Sequence, residues 1–235
     1  MVFNVIIQAR LGSTRLPGKV LMEIEGKPLL QYLIERLRKC QRVDKIILAV
    51  PFGDMARLFT GLADAVLCGD EFDVASRFAA ALKANPCDAF VRVCADSPLL
   101  DPILVDKAIH LFHMKRPDIA CNIHPRTFPM GQCVEVVNTA TFLEERVHFS
   151  QSDREHVTSF FYSHSNDYDI VNFEYHIDRS DNSMVVDTQE DFDCMKALIE
   201  GLLKPHTEYG WQSLMLAQAF PLTATQKKQV KSCPS

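Results

Sequence analysis

The sequence has no excess of positive charge. Lys and Arg number 25 against 30 Asp and Glu, a formal net charge of −5, which excludes the broad cationic surface that grips nucleic acid through many phosphate contacts. Any polyphosphate must be held locally. No apolar run is long enough to span a bilayer, so no membrane partner is expected. The apolar start at residues 2–7 is broken by Asn4 and followed by Gln8 and Arg10, unlike a secretory leader. No C-x-x-C pair occurs among the eight cysteines. Their scatter through stretches such as 91–95 fits reduced, buried thiols and a cytoplasmic setting. Internal repeats and low-complexity blocks are missing too. What is present, 235 residues of which 47% are hydrophobic, suits one sizeable core in one domain.

Short apolar runs alternate with amphipathic helical patterns over the first 120 residues, the mark of an α/β domain with a mostly parallel sheet flanked by helices. Strands are expected at 3–7, 45–50, 65–67, 89–94 and 119–121. Pro28 suits the first turn of a helix with Leu29, Leu30, Leu33, Ile34 and Leu37 inward and Glu35, Arg36, Arg38 and Lys39 outward. Asp73 and Asp101-Pro102 are placed to start two further helices. The stretch from 133 is less regular and reads as an insertion: a strand at 133–137, a helix at 139–145, and a capping box at Ser152-Asp-Arg-Glu155. Strands at 170–173 and 184–186 follow, then a helix capped by Thr188. The domain is drawn at 1–203, with about 122–180 as a subregion and 204–235 as an extension whose end, from about 223, frays.

Chemistry concentrates in residues 6–21, IIQARLGSTRLPGKVL, directly after the first strand. Ligands of open parallel sheets bind beyond the carboxyl ends of the strands. There Arg10, Arg15 and Lys19, with backbone N–H groups of Gly12 and Ser13, can neutralise a nucleoside triphosphate. A Walker A loop is excluded, because five residues separate Gly12 from Gly18 and Val20 stands where a magnesium-binding Ser or Thr would be. A dinucleotide fold is excluded because no G-x-G-x-x-G follows a strand. By charge alone, an ordinary solvated loop fits equally well. Asp96 and Asp187 each fall just past an apolar strand candidate, and two carboxylates plus phosphate oxygens make an all-oxygen site for Mg2+. Singly, each is better explained as a cap, Asp96 of the turn at Ser97-Pro98 and Asp187 of the last helix. Their expected meeting with the cationic loop on one sheet edge favours a metal–triphosphate site.

The segment QARLGSTRLPGKVL, residues 8–21, resembles the signature loop of the SpsF-type cytidylyltransferases, relatives of the CMP-sialate and CMP-Kdo synthetases. The resemblance runs on through residues 69–77, 92–102, 128–136, 154–158 and 186–191, covering about residues 3 to 200 in order. It implies a three-layer, Rossmann-like fold of the nucleotide-diphospho-sugar transferase type, with CMP passed from CTP to a sugar-acid or related acceptor. It also implies Mg2+ on Asp96 and Asp187, triphosphate contacts from Arg10, Arg15 and Lys19, a nucleotide site that takes in Ala9, Gly12, Ser13, Arg77 and Asp96, and a homodimer. The runs around Gly131, Gln132 and Glu135 and at Arg154-Glu155-His156 are implied to face the acceptor or a second subunit. Where such relatives carry a leucine–aspartate pair, this chain has Gln132-Cys133. His156 reads as a local hydrogen-bonding residue rather than a general base, and Trp211 as a packing residue. Two alternatives stand beside this one. A glycosyltransferase would need a well-placed D-x-D, and Asp167-Tyr-Asp169 and Asp191-Phe-Asp193 are not at strand ends. A nucleotide-binding scaffold would bind without turnover.

Overall fold

Strand β1 (Phe3–Gln8) is followed by a small hairpin of β2 (Glu23–Ile24) and β3 (Lys27–Pro28), then by α1 (Leu29–Leu37), β4 (Lys45–Pro51) and β5 (Ala65–Gly69). Next come α2 (Val74–Ala84), β6 (Ala89–Cys94), α3 (Pro102–Lys115), β7 (Ile119–Cys121) and β8 (Glu135–Asn138). The chain continues through α4 (Thr139–Glu145), α5 (Gln151–His156), α6 (Ser159–Ser163), β9 (Ile170–Asn172), α7 (Gln189–Gly201) and α8 (Trp211–Ala219). This computed structural model describes residues 1–10, 12–53, 58–59 and 61–219. The expected frayed end of the chain lies outside the described residues.

Seven strands form one sheet in the order β5-β4-β1-β6-β8-β7-β9, parallel throughout except for β8, which runs antiparallel to both neighbours. Successive side chains of a strand point to opposite faces, and here both faces are buried, as a parallel sheet requires. Val5, Ile7, Leu48, Val91 and Val93 pack on α1 and α3; Ile6, Ile47, Ala49 and Phe90 pack on α2 and on Phe142, Phe149, Val157 and Phe161 of the helical segment after β8. The result is the expected three-layer α/β sandwich. A third cluster joins Leu16 and Leu99 to Met184, Val186 and the inner face of α7, so the loops at the carboxyl edge share a core of their own.

Helix starts follow the sequence closely. Asp73 accepts from Ser76 N–H at 2.8 Å, Asp101 from Ile103 N–H at 2.9 Å, and Thr188 forms a reciprocal capping box with Asp191. Pro28 is extended at the N-cap of α1, one residue outside the first turn.

Several expectations need correction. The capping box of α5 is Ser150 with Asp153, not Ser152 with Glu155. Buried Phe149 fixes the entry to the helix two residues earlier. Residues 133–155 are not simply laid on the sheet, because β8 is an interior strand between β6 and β7. Residues 184–186 are extended without joining the sheet: Met184 N–H donates to Met130 O at 2.8 Å and Val186 N–H to Asp96 O at 2.9 Å. Arg36, expected on the solvent face of α1, is fully buried. It donates to the carbonyls of Leu100 (2.8 Å), Tyr209 (3.0 Å) and His206. Residues 205–211 thereby pack on the core, with Trp211 buried against Phe128 and Tyr175.

Candidate functional site

The carboxyl ends of β1 and β6 are adjacent, and Ala95 N–H donates to Gln8 O at 3.1 Å, carrying the pairing one step beyond the strands. From there the loop after β1 turns back over the edge. Ser13 Oγ accepts from Leu16 N–H at 3.3 Å, and Gly18 adopts φ 71°, a conformation glycine enters without side-chain strain. That turn feeds a single 3-10 turn, Lys19–Leu21, whose first side chain points inward.

Lys19 Nζ is the centre of the site. It donates to Asp187 Oδ1 at 2.7 Å, to Val186 O at 2.8 Å and to Asp96 Oδ2 at 3.4 Å, with only 11% of its side chain exposed. Asp187 Oδ2 accepts from Arg15 at 2.9 Å. The two acids, distant in sequence, thus converge on one cation because Asp96 stands two residues past β6 and the 184–187 segment docks on its carbonyl. Asp187 is not the cap of α7; Thr188 holds that position, and Asp191 secures the approach by accepting from the N–H groups of Asp187 and Thr188. The surrounding cavity, about 230 Å3, is lined by Ala9, Arg10, Ser13, Arg15, Lys19, Asp96 and Asp187, joined by Gln8, Thr14, Val20, Cys94 and Ala95. Two carboxylates aimed at one point are a fit for a divalent cation that takes few protein ligands and completes its shell from phosphate and water. Among the described residues no group of three or more His, Cys, Asp or Glu is placed to hold a metal without substrate.

Gly12 lies against α2's approach loop: a Cβ there would stand 2.8 Å from Glu71 Oε1. Arg10, which lines the same cavity, pairs with Glu155 Oε1 at 3.1 Å. With Gln8, Ala9, Val74, Arg77 and His156 these two line a side recess of about 90 Å3 that shares three residues with the main cavity. Arg77 is buried, seated where Gly69 leaves room for its stem, and donates to the carbonyls of Asp70 and Glu71. Its Nε has no partner. Burial and, next, the cation of Arg10 hold its guanidinium below the usual value. Behind the recess Val157 has φ 59° and is fully buried. A β-branched residue in that region is strained, and here it directs the end of α5, with Glu155 and His156, at the recess.

The cytidylyltransferase family model matches residues 4–227. The chain belongs to the cytidylyltransferase family. Spore coat polysaccharide biosynthesis protein SpsF of Bacillus subtilis is 29% identical over 207 residues, 83% of this chain and 85% of that protein. The 3-deoxy-manno-octulosonate cytidylyltransferase of Chlorobium chlorochromatii is 35% identical over 115 residues, 48% of this chain and 46% of that protein. A cytidylyltransferase structure from Leptospira borgpetersenii superposes with a TM-score of 0.87, covering 94% of this chain and 95% of that one at 24% identity. This chain is a CTP-dependent nucleotidyltransferase.

In this cytidylyltransferase the segment expected at the acceptor is mostly interior. Gln132 is fully buried: its Oε1 accepts from Asp101 N–H at 2.9 Å and its Nε2 donates to Leu99 O at 3.0 Å. It shapes the turn that carries Asp96. Glu135 is also buried, taking Arg92 on one oxygen at 2.8 Å and Tyr162 on the other at 2.9 Å, while Arg92 Nε reaches Gln8 at 3.3 Å. Burial first, then Glu135, pushes the Tyr162 phenol well above its usual value. Burial also raises the Cys133 thiol, and pushes Cys94 up to about 12. Arg92 and Tyr162 were not singled out from the sequence. An arginine in the middle of the apolar run AFVRVC was the available signal, since arginine is almost never buried unpaired. The D-x-D triplets are not at the site: Asp191 is spent on the cap of α7, and Asp169 carries its carbonyl to Asp118 and Ile119 beside β9.

Proposed function

We propose that this enzyme transfers CMP from CTP to an acidic sugar or a related acceptor, releasing pyrophosphate, as a step in glycan precursor synthesis. The carrying observation is the convergence of Asp96 and Asp187 on one cation position at the strand ends, within a cavity lined by Arg10, Arg15 and Lys19. An acceptor oxygen attacks the α-phosphorus, the bond to the β-phosphate oxygen breaks, and the acceptor proton passes to solvent. Arg10, Arg15 and Lys19 take up charge on the departing pyrophosphate, while Ala9, Gly12 and Ser13 present backbone to the nucleotide and Arg77 closes the side recess behind it. Asp96 and Asp187 hold Mg2+, which when bound neutralises phosphate oxygens and lowers the pKa of an attacking hydroxyl. Positioning of two bound reactants supplies much of the remaining acceleration.

The polysaccharide role in SpsF's name and the keto-sugar-acid named for the Chlorobium relative support an acidic sugar acceptor. The reading extends to a cytoplasmic homodimer, for which light scattering is the check; no described helix is long and apolar enough to cross a membrane. The test of the reaction is pyrophosphate release from CTP and Mg2+ across a panel of sugar acids, aminosugar acids and neutral sugars. Release that requires a carboxylate-bearing acceptor is the expected result; release only with neutral sugars, or sugar transfer from a nucleotide sugar without pyrophosphate, contradicts it.

A further inference from the structure

Every cation assigned to the triphosphate is already engaged by a carboxylate. Lys19 lies between Asp96 and Asp187, Arg15 is on the second oxygen of Asp187, and Arg10 is on Glu155. At the centre, two positive and two negative side chains cancel. A divalent cation arriving alone would sit a few Å from the Lys19 ammonium, and like charges so close in a half-buried site repel strongly. A triphosphate arriving alone would draw Lys19 and Arg15 away and leave two bare carboxylates facing its own negative charge. Arriving together, the metal takes the carboxylates and the phosphates take the cations, so nothing is left unpaired.

We propose that Lys19 is an exchangeable counter-ion: its ammonium holds the place between Asp96 and Asp187 that the divalent cation takes on loading, and moves to phosphate as the metal enters. This rests on the metal–triphosphate reading above. A lysine suits the task because its compact charge rides on a flexible four-carbon stem, and here that stem springs from a backbone fixed by the turn at Gly18. The device makes metal and nucleotide binding mutually dependent, and such coupling is reciprocal. It also keeps the cleft closed to free metal.

The test is Mn2+ binding to the nucleotide-free protein, followed by loss of the free-ion electron paramagnetic resonance signal. Wild type and Lys19→Arg, which keep the charge, should bind weakly. Lys19→Met should bind one Mn2+ per chain at least about 10-fold more tightly, a size within ordinary coupling energies, and should lose that gain when Asp187→Asn is added. Lys19→Gln serves as a second neutral replacement, and circular dichroism melting establishes that each variant is folded. Folded neutral variants that bind Mn2+ no better than wild type overturn the proposal. A thermal shift of wild type by CTP with Mg2+ separates the two layers: a shift without the Lys19→Met gain removes the counter-ion alone, whereas no shift with any nucleoside triphosphate removes both.

Discussion

The cleft around Lys19 and the knot around Arg36 are built from the same kinds of residue and behave oppositely. In the cleft each cation meets a carboxylate, the side chains of Arg10 and Arg15 are about half or more exposed, and the partners come from different loops. In the knot Arg36 is fully buried and answers three backbone carbonyls, while Asp101 accepts from the N–H groups of Ile103 and Trp211 and Gln132 spans Leu99 and Asp101. Side-chain ion pairs near solvent can be traded for a ligand's charges at little cost. Bonds from a buried cation to main chain cannot, because withdrawing the cation costs the carbonyls a donor where water does not readily replace it. The knot holds the turn 96–101 and the closing segment 205–211 in place, and the cleft does the exchanging.

The largest expected effect breaks the cleft and spares the knot. Asp96→Ala should lower kcat/KM by about 1,000-fold, on the order of 4 kcal/mol, with a melting temperature close to wild type. Steady-state kinetics beside calorimetry check both halves. Arg36→Met should do the reverse. Two buried carbonyls and one half-buried one lose their donor, so urea denaturation should register a loss of about 3 kcal/mol, while kcat per folded molecule changes little. Glu155→Gln sharpens the difference further. It frees Arg10 from an exposed pair worth less than about 1 kcal/mol, so KM for CTP should fall by no more than about 5-fold and stability should stay constant.

The knot's own titration gives the smallest expected effect. His206 is buried beside Arg36, and burial lowers its pKa from the usual 6.5. The unfolded chain therefore binds a proton that the folded one resists, and stability must fall as pH drops below 6.5 toward the lower folded value. Denaturation curves across that window should show the loss in wild type and its absence in His206→Gln. No such difference would mean that His206 is protonated as readily in the fold as out of it.

The cleft was largely legible in sequence and the knot was not. Asp96 taken singly reads as a turn cap and the loop's Arg10, Gly12, Arg15 and Lys19 as a solvated loop; it is their joint position at the carboxyl edge of one sheet, given by local pattern and topology, that makes the cleft legible. Arg36 lies three residues after Leu33 and seven after Leu29, which is the buried face of a 3.6-residue period. Its charge argued for solvent, and the carbonyls that satisfy it come from residues 100, 206 and 209, which no local pattern can supply. Glu135 and Arg92 are similarly hidden, because they face each other only through the antiparallel register of β6 and β8. The start of α5 lies at Ser150 rather than at the expected Ser152, and the burial of Phe149 just before it is a tertiary fact that a local Ser-x-x-acid pattern does not carry. At 184–186 the alternation of buried Met184 and Val186 is real, yet their N–H groups go to the loop carbonyls of Met130 and Asp96 rather than to a sheet neighbour.

The central claim is that Asp96 and Asp187, with Lys19, Arg15 and Arg10, form a metal–CTP site. Titration calorimetry of CTP into the protein, with and without Mg2+, addresses it directly in wild type, Asp96→Ala and Arg15→Ala. CTP binding should require Mg2+, exceed that of ATP, GTP and UTP, be lost in Asp96→Ala and be weakened in Arg15→Ala. Equal binding of CTP by wild type and Asp96→Ala, or binding indifferent to Mg2+, would contradict the claim.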